Sequence, residues 1–122
     1  MKIPFVDLHA QYQSIQGEID AAMADVIANS AFIRGRHVDE FERAWARTLG
    51  TKHCVSCANG TDALYIAMRA LGVKPCDEVI TTAHSWISTS ETITQAGGRV
   101  VFCDADAETF TIDPALIEAR IT

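Results

Sequence analysis

Residues 53–103 read HCVSCANGTDALYIAMRALGVKPCDEVITTAHSWISTSETITQAGGRVVFC, and their alternation of short apolar runs with helix-like stretches decides the fold class. His53 to Ala58 is short and apolar, as a buried strand is. Asn59-Gly60-Thr61-Asp62 is a tight turn opening onto a helix over Ala63 to Leu71, closed by Gly72 and Pro75. Glu78 to Thr82 makes a second strand, Trp86 to Ala96 a helix ended by Gly97-Gly98, and Arg99 to Cys103 a third strand. Strands separated by single helices belong to a mostly parallel sheet with right-handed crossovers, so the class is α/β.

Upstream of this stretch the style is helical. In Gln11 to Asn29 the residues Ile15, Ile19, Ala22, Met23, Val26 and Ile27 recur at intervals of three and four, one face of a helix. Val38, Phe41, Trp45 and Leu49 form a second stripe over His37 to Leu49, with Gly50 as the stop signal. Downstream, Asp113 can cap a last helix whose first turn holds Pro114, where a missing amide proton costs nothing.

With 122 residues the chain has room for one domain, taken as 1–122 with no linker or repeat. Ten Lys and Arg against sixteen Asp and Glu give a net charge of −6, which argues against nucleic acid as a partner. No apolar run approaches a membrane-spanning length and the start lacks a signal core, so a cytoplasmic location with no membrane partner is the default expectation.

Cys54-x-x-Cys57 with His53 and His84 is the one pattern that suggests a metal. No second Cys pair at suitable spacing accompanies it, and Cys54 and Cys103 fall in runs that read as buried strands. Reduced thiols and no metal are expected.

The turn Asn59-Gly60-Thr61 stands where the carboxyl end of a strand meets a helix N-terminus, a place where free amides and the helix dipole favour an anion. Gly60 lets a ligand approach the backbone, and the Thr61 hydroxyl adds a donor. The plain alternative is an ordinary capped turn. After the next strand, Trp86 places an aromatic at the same edge of the sheet, where a flat ring can stack; alone, it would read as a core residue.

Several ordered motifs carry a resemblance across essentially the whole chain: Ile3-Pro4-Phe5-Val6-Asp7-Leu8, Phe32-Ile33-x-Gly35, Phe41-Glu42, Cys57 to Leu64, Asp77-Glu78-Val79-Ile80 and Asp113-Pro114. Together they are similar to the DegT/DnrJ/EryC1/StrS aminotransferases. The resemblance implies the N-terminal part of the large domain of pyridoxal-phosphate (PLP) fold type I enzymes, a mostly parallel sheet with flanking helices that is incomplete in this chain. It implies a homodimer that transfers an amino group from glutamate to a nucleotide-linked keto-deoxysugar, with pyridoxal 5'-phosphate as cofactor. It also implies that Gly60 and Thr61 hold the cofactor phosphate and that Trp86 stacks on its ring.

The same resemblance exposes what is missing. The family's Schiff-base lysine lies much later in sequence, and none of Lys2, Lys52 and Lys74 stands in its context, so this chain alone is expected to lack the catalytic lysine. The acidic partner of the pyridine nitrogen belongs in the family to a later strand, which leaves Asp104 as a loop or cap residue. Asp7 and Tyr12 are helix-entry residues in the simpler account, and His84 and Glu91 lie close enough to the turn to be candidates for touching substrate or cofactor. In fold type I sheets later sequence separates the first strand from the next two. The 53–58 strand should then stay unpaired here, and the chain should self-associate or pair with a C-terminal segment. Two alternatives stand beside the aminotransferase: a PLP-dependent sugar dehydratase relative, and a non-catalytic regulatory or truncated chain.

Overall fold

The computed structural model describes residues 3–122 and divides into two compact units, Met1–Ser56 and Cys57–Thr122. The first unit is two helices, α1 (Leu8–Ala28) and α2 (Arg36–Leu49). α1 begins three residues earlier than its apolar stripe suggests, because the Asp7 carboxylate accepts the Ala10 amide at 3.0 Å and so caps the first turn. Tyr12 is held within the same helix, its hydroxyl donating to Asp20 at 2.7 Å. Neither residue is turned to a site by any contact in this unit.

The corner between the two helices is fixed by one carboxylate. Asp25, in the last turns of α1, accepts from Arg36 Nη2 at 3.0 Å and from Asn29 Nδ2 at 3.0 Å, and pairs with His37 Nε2 at 2.7 Å. The His37 contact, with Arg36 adding to it, holds the Asp25 carboxyl below its usual range. α2 ends at Gly50, whose φ of 67° is the left-handed conformation that glycine adopts at least cost.

The segment expected as a strand over 53–58 forms no ladder among the described residues. It is tied to α2 instead: the Ser56 amide and hydroxyl both donate to Glu42 Oε1, at 2.9 and 2.6 Å. Cys54 is accordingly half-buried outside any strand, whereas Cys103 is buried within one.

The second unit is α3 (Gly60–Ala70), β1 (Glu78–Thr82), α4 (Ser88–Ala96) and β2 (Arg99–Cys103). Both strands fall on the residues that the sequence marks. They pair in parallel, Glu78 opposite Arg99 and Thr82 opposite Cys103, with α4 as the crossover. Strand direction and the intervening helix make this a βαβ unit of an α/β sheet. Its core is small: Ile93 and Thr92 are fully enclosed, with Ala96, Cys103, Ser88 and Thr81 around them. Burying the Ile93 side chain contributes about 1.5–3 kcal/mol relative to leaving it in water.

The last helix is the main correction to the expected elements. Asp113 does cap, accepting the Ala115 amide at 2.9 Å, but the chain beyond it forms two 3-10 turns, Pro114–Leu116 and Glu118–Arg120. Neither turn has a buried residue, so no apolar face is packed to favour a longer helix.

Candidate functional site

The start of α3 is organised by Asn59. In extended conformation at φ −163°, it accepts the Asp62 amide on Oδ1 at 3.0 Å, while its own carbonyl accepts the Ala63 amide at 3.1 Å. The Asp62 bond satisfies one of the orphan amides of the helix N-terminus, and the Ala63 bond is the first of the helix's own ladder. Those of Gly60 and Thr61 have no hydrogen-bond partner among the described residues. They are left as adjacent donors at the positive end of the helix.

Gly60 is not demanded by backbone geometry, since it sits in the helix without a positive φ. What it supplies is space: a Cβ built on Gly60 meets nothing within 4 Å. The position is exposed, and the two unpartnered amides at the helix N-terminus are the donors a phosphate monoester would need. Asp62 is a like charge close by, and one of its oxygens is engaged by Asn59 Nδ2 at 3.1 Å.

The N-termini of α3 and α4 meet at this point. Thr61 Oγ1 and Ser88 Oγ are 2.8 Å apart, and Ser88 is the first residue of α4. Trp86 stands two residues before Ser88, on the loop that leaves β1. It is 78 % exposed, so it is not a core residue of its unit. Gly60, Thr61 and Trp86 thus lie on the two helix-entry segments that the Thr61–Ser88 contact brings together.

The other candidates are placed elsewhere or held by local partners. His84 lies on the same loop, its ring tilted against Phe110 at a centroid distance of 6.2 Å. Glu91 accepts from Gln95 one turn on, at 3.2 Å. Asp104 accepts the Ala105 amide at 2.8 Å. Asp106 closes a turn, accepting from the Thr109 amide and hydroxyl and from the Glu108 amide, and these bonds, the Thr109 amide foremost, hold its carboxyl below the ordinary range. Among the described residues no three His, Cys, Asp or Glu side chains converge as a metal would need, and no helix is long and apolar enough to cross a membrane. Ser88 is the residue that sequence reasoning missed, because its contact with Thr61 spans 27 positions and no local spacing announces it.

The parallel α/β unit has the fold of PLP-type aminotransferases, as its superposition on solved members shows. The chain belongs to the DegT/DnrJ/EryC1/StrS aminotransferase family, whose model matches residues 13–122. It is 45 % identical over 120 residues to the UDP-2-acetamido-2-deoxy-3-oxo-D-glucuronate aminotransferase of Pseudomonas aeruginosa, covering 98 % of this chain and 33 % of that protein. It is 43 % identical over 122 residues to the pleiotropic regulatory protein of Geobacillus stearothermophilus, covering 100 % of this chain and 33 % of that one. Among solved structures it superposes on S. venezuelae DesV in complex with a ketimine intermediate. The TM-score is 0.95 at 36 % identity, over 99 % of this chain and 33 % of DesV. The chain therefore spans about a third of the length of the relatives it matches.

Proposed function

We propose that this chain is the cofactor-binding N-terminal part of an enzyme that uses PLP to move an amino group from glutamate to a keto-deoxysugar carried on a nucleotide, in the assembly of surface polysaccharides or glycosides. The observation that carries the reading is the pair of unpartnered amides at Gly60 and Thr61, at an exposed helix N-terminus where a Cβ on residue 60 meets nothing within 4 Å.

In this reading the Gly60 and Thr61 amides bind the cofactor phosphate, the Thr61 hydroxyl adds a third donor, and the exposed face of Trp86 orients the ring. Bound PLP supplies the electron sink that amino transfer requires. The lysine that carries the proton in such chemistry has no counterpart in Lys2, Lys52 or Lys74 and is assigned to the remainder of the protein. Residues 1–122 are taken as part of one large domain, and the protein as a cytoplasmic homodimer. The similarity to the UDP-2-acetamido-2-deoxy-3-oxo-D-glucuronate aminotransferase supports a keto-sugar nucleotide as acceptor.

A second reading has one observation in its favour, the 43 % identity to a pleiotropic regulatory protein. A regulator would bind PLP in the same cradle without turnover. The two readings separate in one assay on the protein carrying this segment: glutamate, PLP and a keto-sugar nucleotide, with 2-oxoglutarate measured. Stoichiometric 2-oxoglutarate and amino sugar support the transferase. PLP binding with no 2-oxoglutarate from any keto-sugar nucleotide supports the regulator.

A further inference from the structure

The Thr61–Ser88 contact has a direction that burial decides. Each hydroxyl carries one proton and can accept through its lone pairs, so either residue can donate to the other across 2.8 Å. Ser88 is only 5 % exposed, and Thr61 Oγ1 is the sole partner of its hydroxyl among the described residues. If Thr61 donated, the Ser88 proton would be left without an acceptor in a place closed to water, a costly arrangement. Thr61 is half-buried and has room to turn its own proton outward.

We propose, resting on the reading of Gly60 and Thr61 as the phosphate cradle, that Ser88 is a positioning residue: its hydroxyl donates to Thr61 Oγ1 and so keeps the Thr61 proton directed at the cofactor phosphate. A hydroxyl that accepts one hydrogen bond becomes a better donor in the next, so the arrangement both aims Thr61 and strengthens it. Ser88 is itself held firmly. Its carbonyl accepts from Thr92 Oγ1 at 2.8 Å, and Thr92, fully enclosed next to Ile93, anchors the first turn of α4 in the core. Ser88 touches no ligand in this account and acts only through Thr61.

The test is equilibrium titration of the protein carrying this segment with PLP, and in parallel with pyridoxal, which has the ring but no phosphate. Thr61→Ala is expected to weaken PLP about tenfold and Ser88→Ala about threefold. In the Thr61→Ala background, Ser88→Ala should add no more than about 1.5-fold, and it should leave pyridoxal affinity unchanged. Ser88→Thr, which keeps the hydroxyl, should restore PLP binding. Should Ser88→Ala fail to fold, Ser88→Cys, close in volume and a weak donor, is expected to fall between wild type and Thr61→Ala. Wild-type PLP affinity in Ser88→Ala or in a folded Ser88→Cys, equal losses for PLP and pyridoxal, or fully additive losses with Thr61→Ala would overturn the role of Ser88. Unchanged PLP affinity in Thr61→Ala would instead strike the Thr61 hydroxyl as a phosphate donor, on which the role rests, while loss in Gly60→Val with folding intact would leave the amide cradle standing.

Discussion

Asn59 and Asp62 are joined twice: Asn59 Oδ1 accepts the Asp62 amide at 3.0 Å, and Asn59 Nδ2 donates to an Asp62 carboxylate oxygen at 3.1 Å. The first bond is an N-cap, and the second places an acidic group in the first turn, where the helix dipole favours it. Asn59→Ala removes both and should lower stability by about 1 kcal/mol, read as a shift in the urea midpoint of the protein carrying this segment. An unchanged midpoint would mean that the start of α3 does not depend on this cap.

The same capping logic explains how far the elements are legible in the sequence. β1 and β2 match their expected residues at both ends, because apolar runs bounded by Asp77 and by Gly97-Gly98 are unambiguous. α3 and α1 both start earlier than their apolar stripes, since a cap sets the first turn whether or not that turn is apolar. The segment after Asp113 shows the converse, a cap and a proline at N1 with no packed face to extend the helix. Gly60, Thr61 and Trp86 stand out in the sequence as candidates by motif and position. Ser88 does not, because a contact between two helix starts is a property of packing.

Glu42 holds the 51–56 segment to α2 through Ser56, and the Ser56 hydroxyl and amide, then Arg34, lower its carboxyl below the ordinary glutamate range. A depressed folded pKa means that the link contributes stability above the unfolded-state value and loses it as pH falls through the folded one. The Ser56 amide resonance should therefore titrate with a midpoint below that of an ordinary glutamate. A midpoint at the usual value would contradict the contact, and Glu42→Gln should abolish the titration.

Gly97 ends α4 at φ +97°, and a Cβ there would lie 3.3 Å from Pro75 Cδ. Gly97→Ala should therefore destabilise by about 1–3 kcal/mol through backbone strain alone, measured by denaturation. A change below about 0.5 kcal/mol would show that the turn between α4 and β2 relaxes freely.

The paired β1–β2 sheet has two strands, and Phe102 on β2 is half exposed. Open strand edges and exposed apolar groups favour association, so the 122-residue polypeptide by itself should be oligomeric at micromolar concentration in light scattering. A monodisperse, folded monomer would contradict this. The same preparation should show no glutamate-dependent amination of a keto-sugar nucleotide, because none of its three lysines stands in the family's catalytic context.

The most direct test of the cofactor site is PLP titration of Gly60→Val and Trp86→Ala in the protein carrying this segment. A Cβ at position 60 meets no protein atom within 4 Å, so Gly60→Val introduces no clash of its Cβ with the rest of the chain. It should weaken PLP strongly by blocking the phosphate. Trp86→Ala should cost the stacking contribution of about 0.5–1.5 kcal/mol, up to roughly tenfold in affinity, and more if water enters the pocket. Weakened PLP binding in both variants, with folding intact, is the predicted result; unchanged affinity in both would contradict the assignment of Gly60, Thr61 and Trp86 to the cofactor.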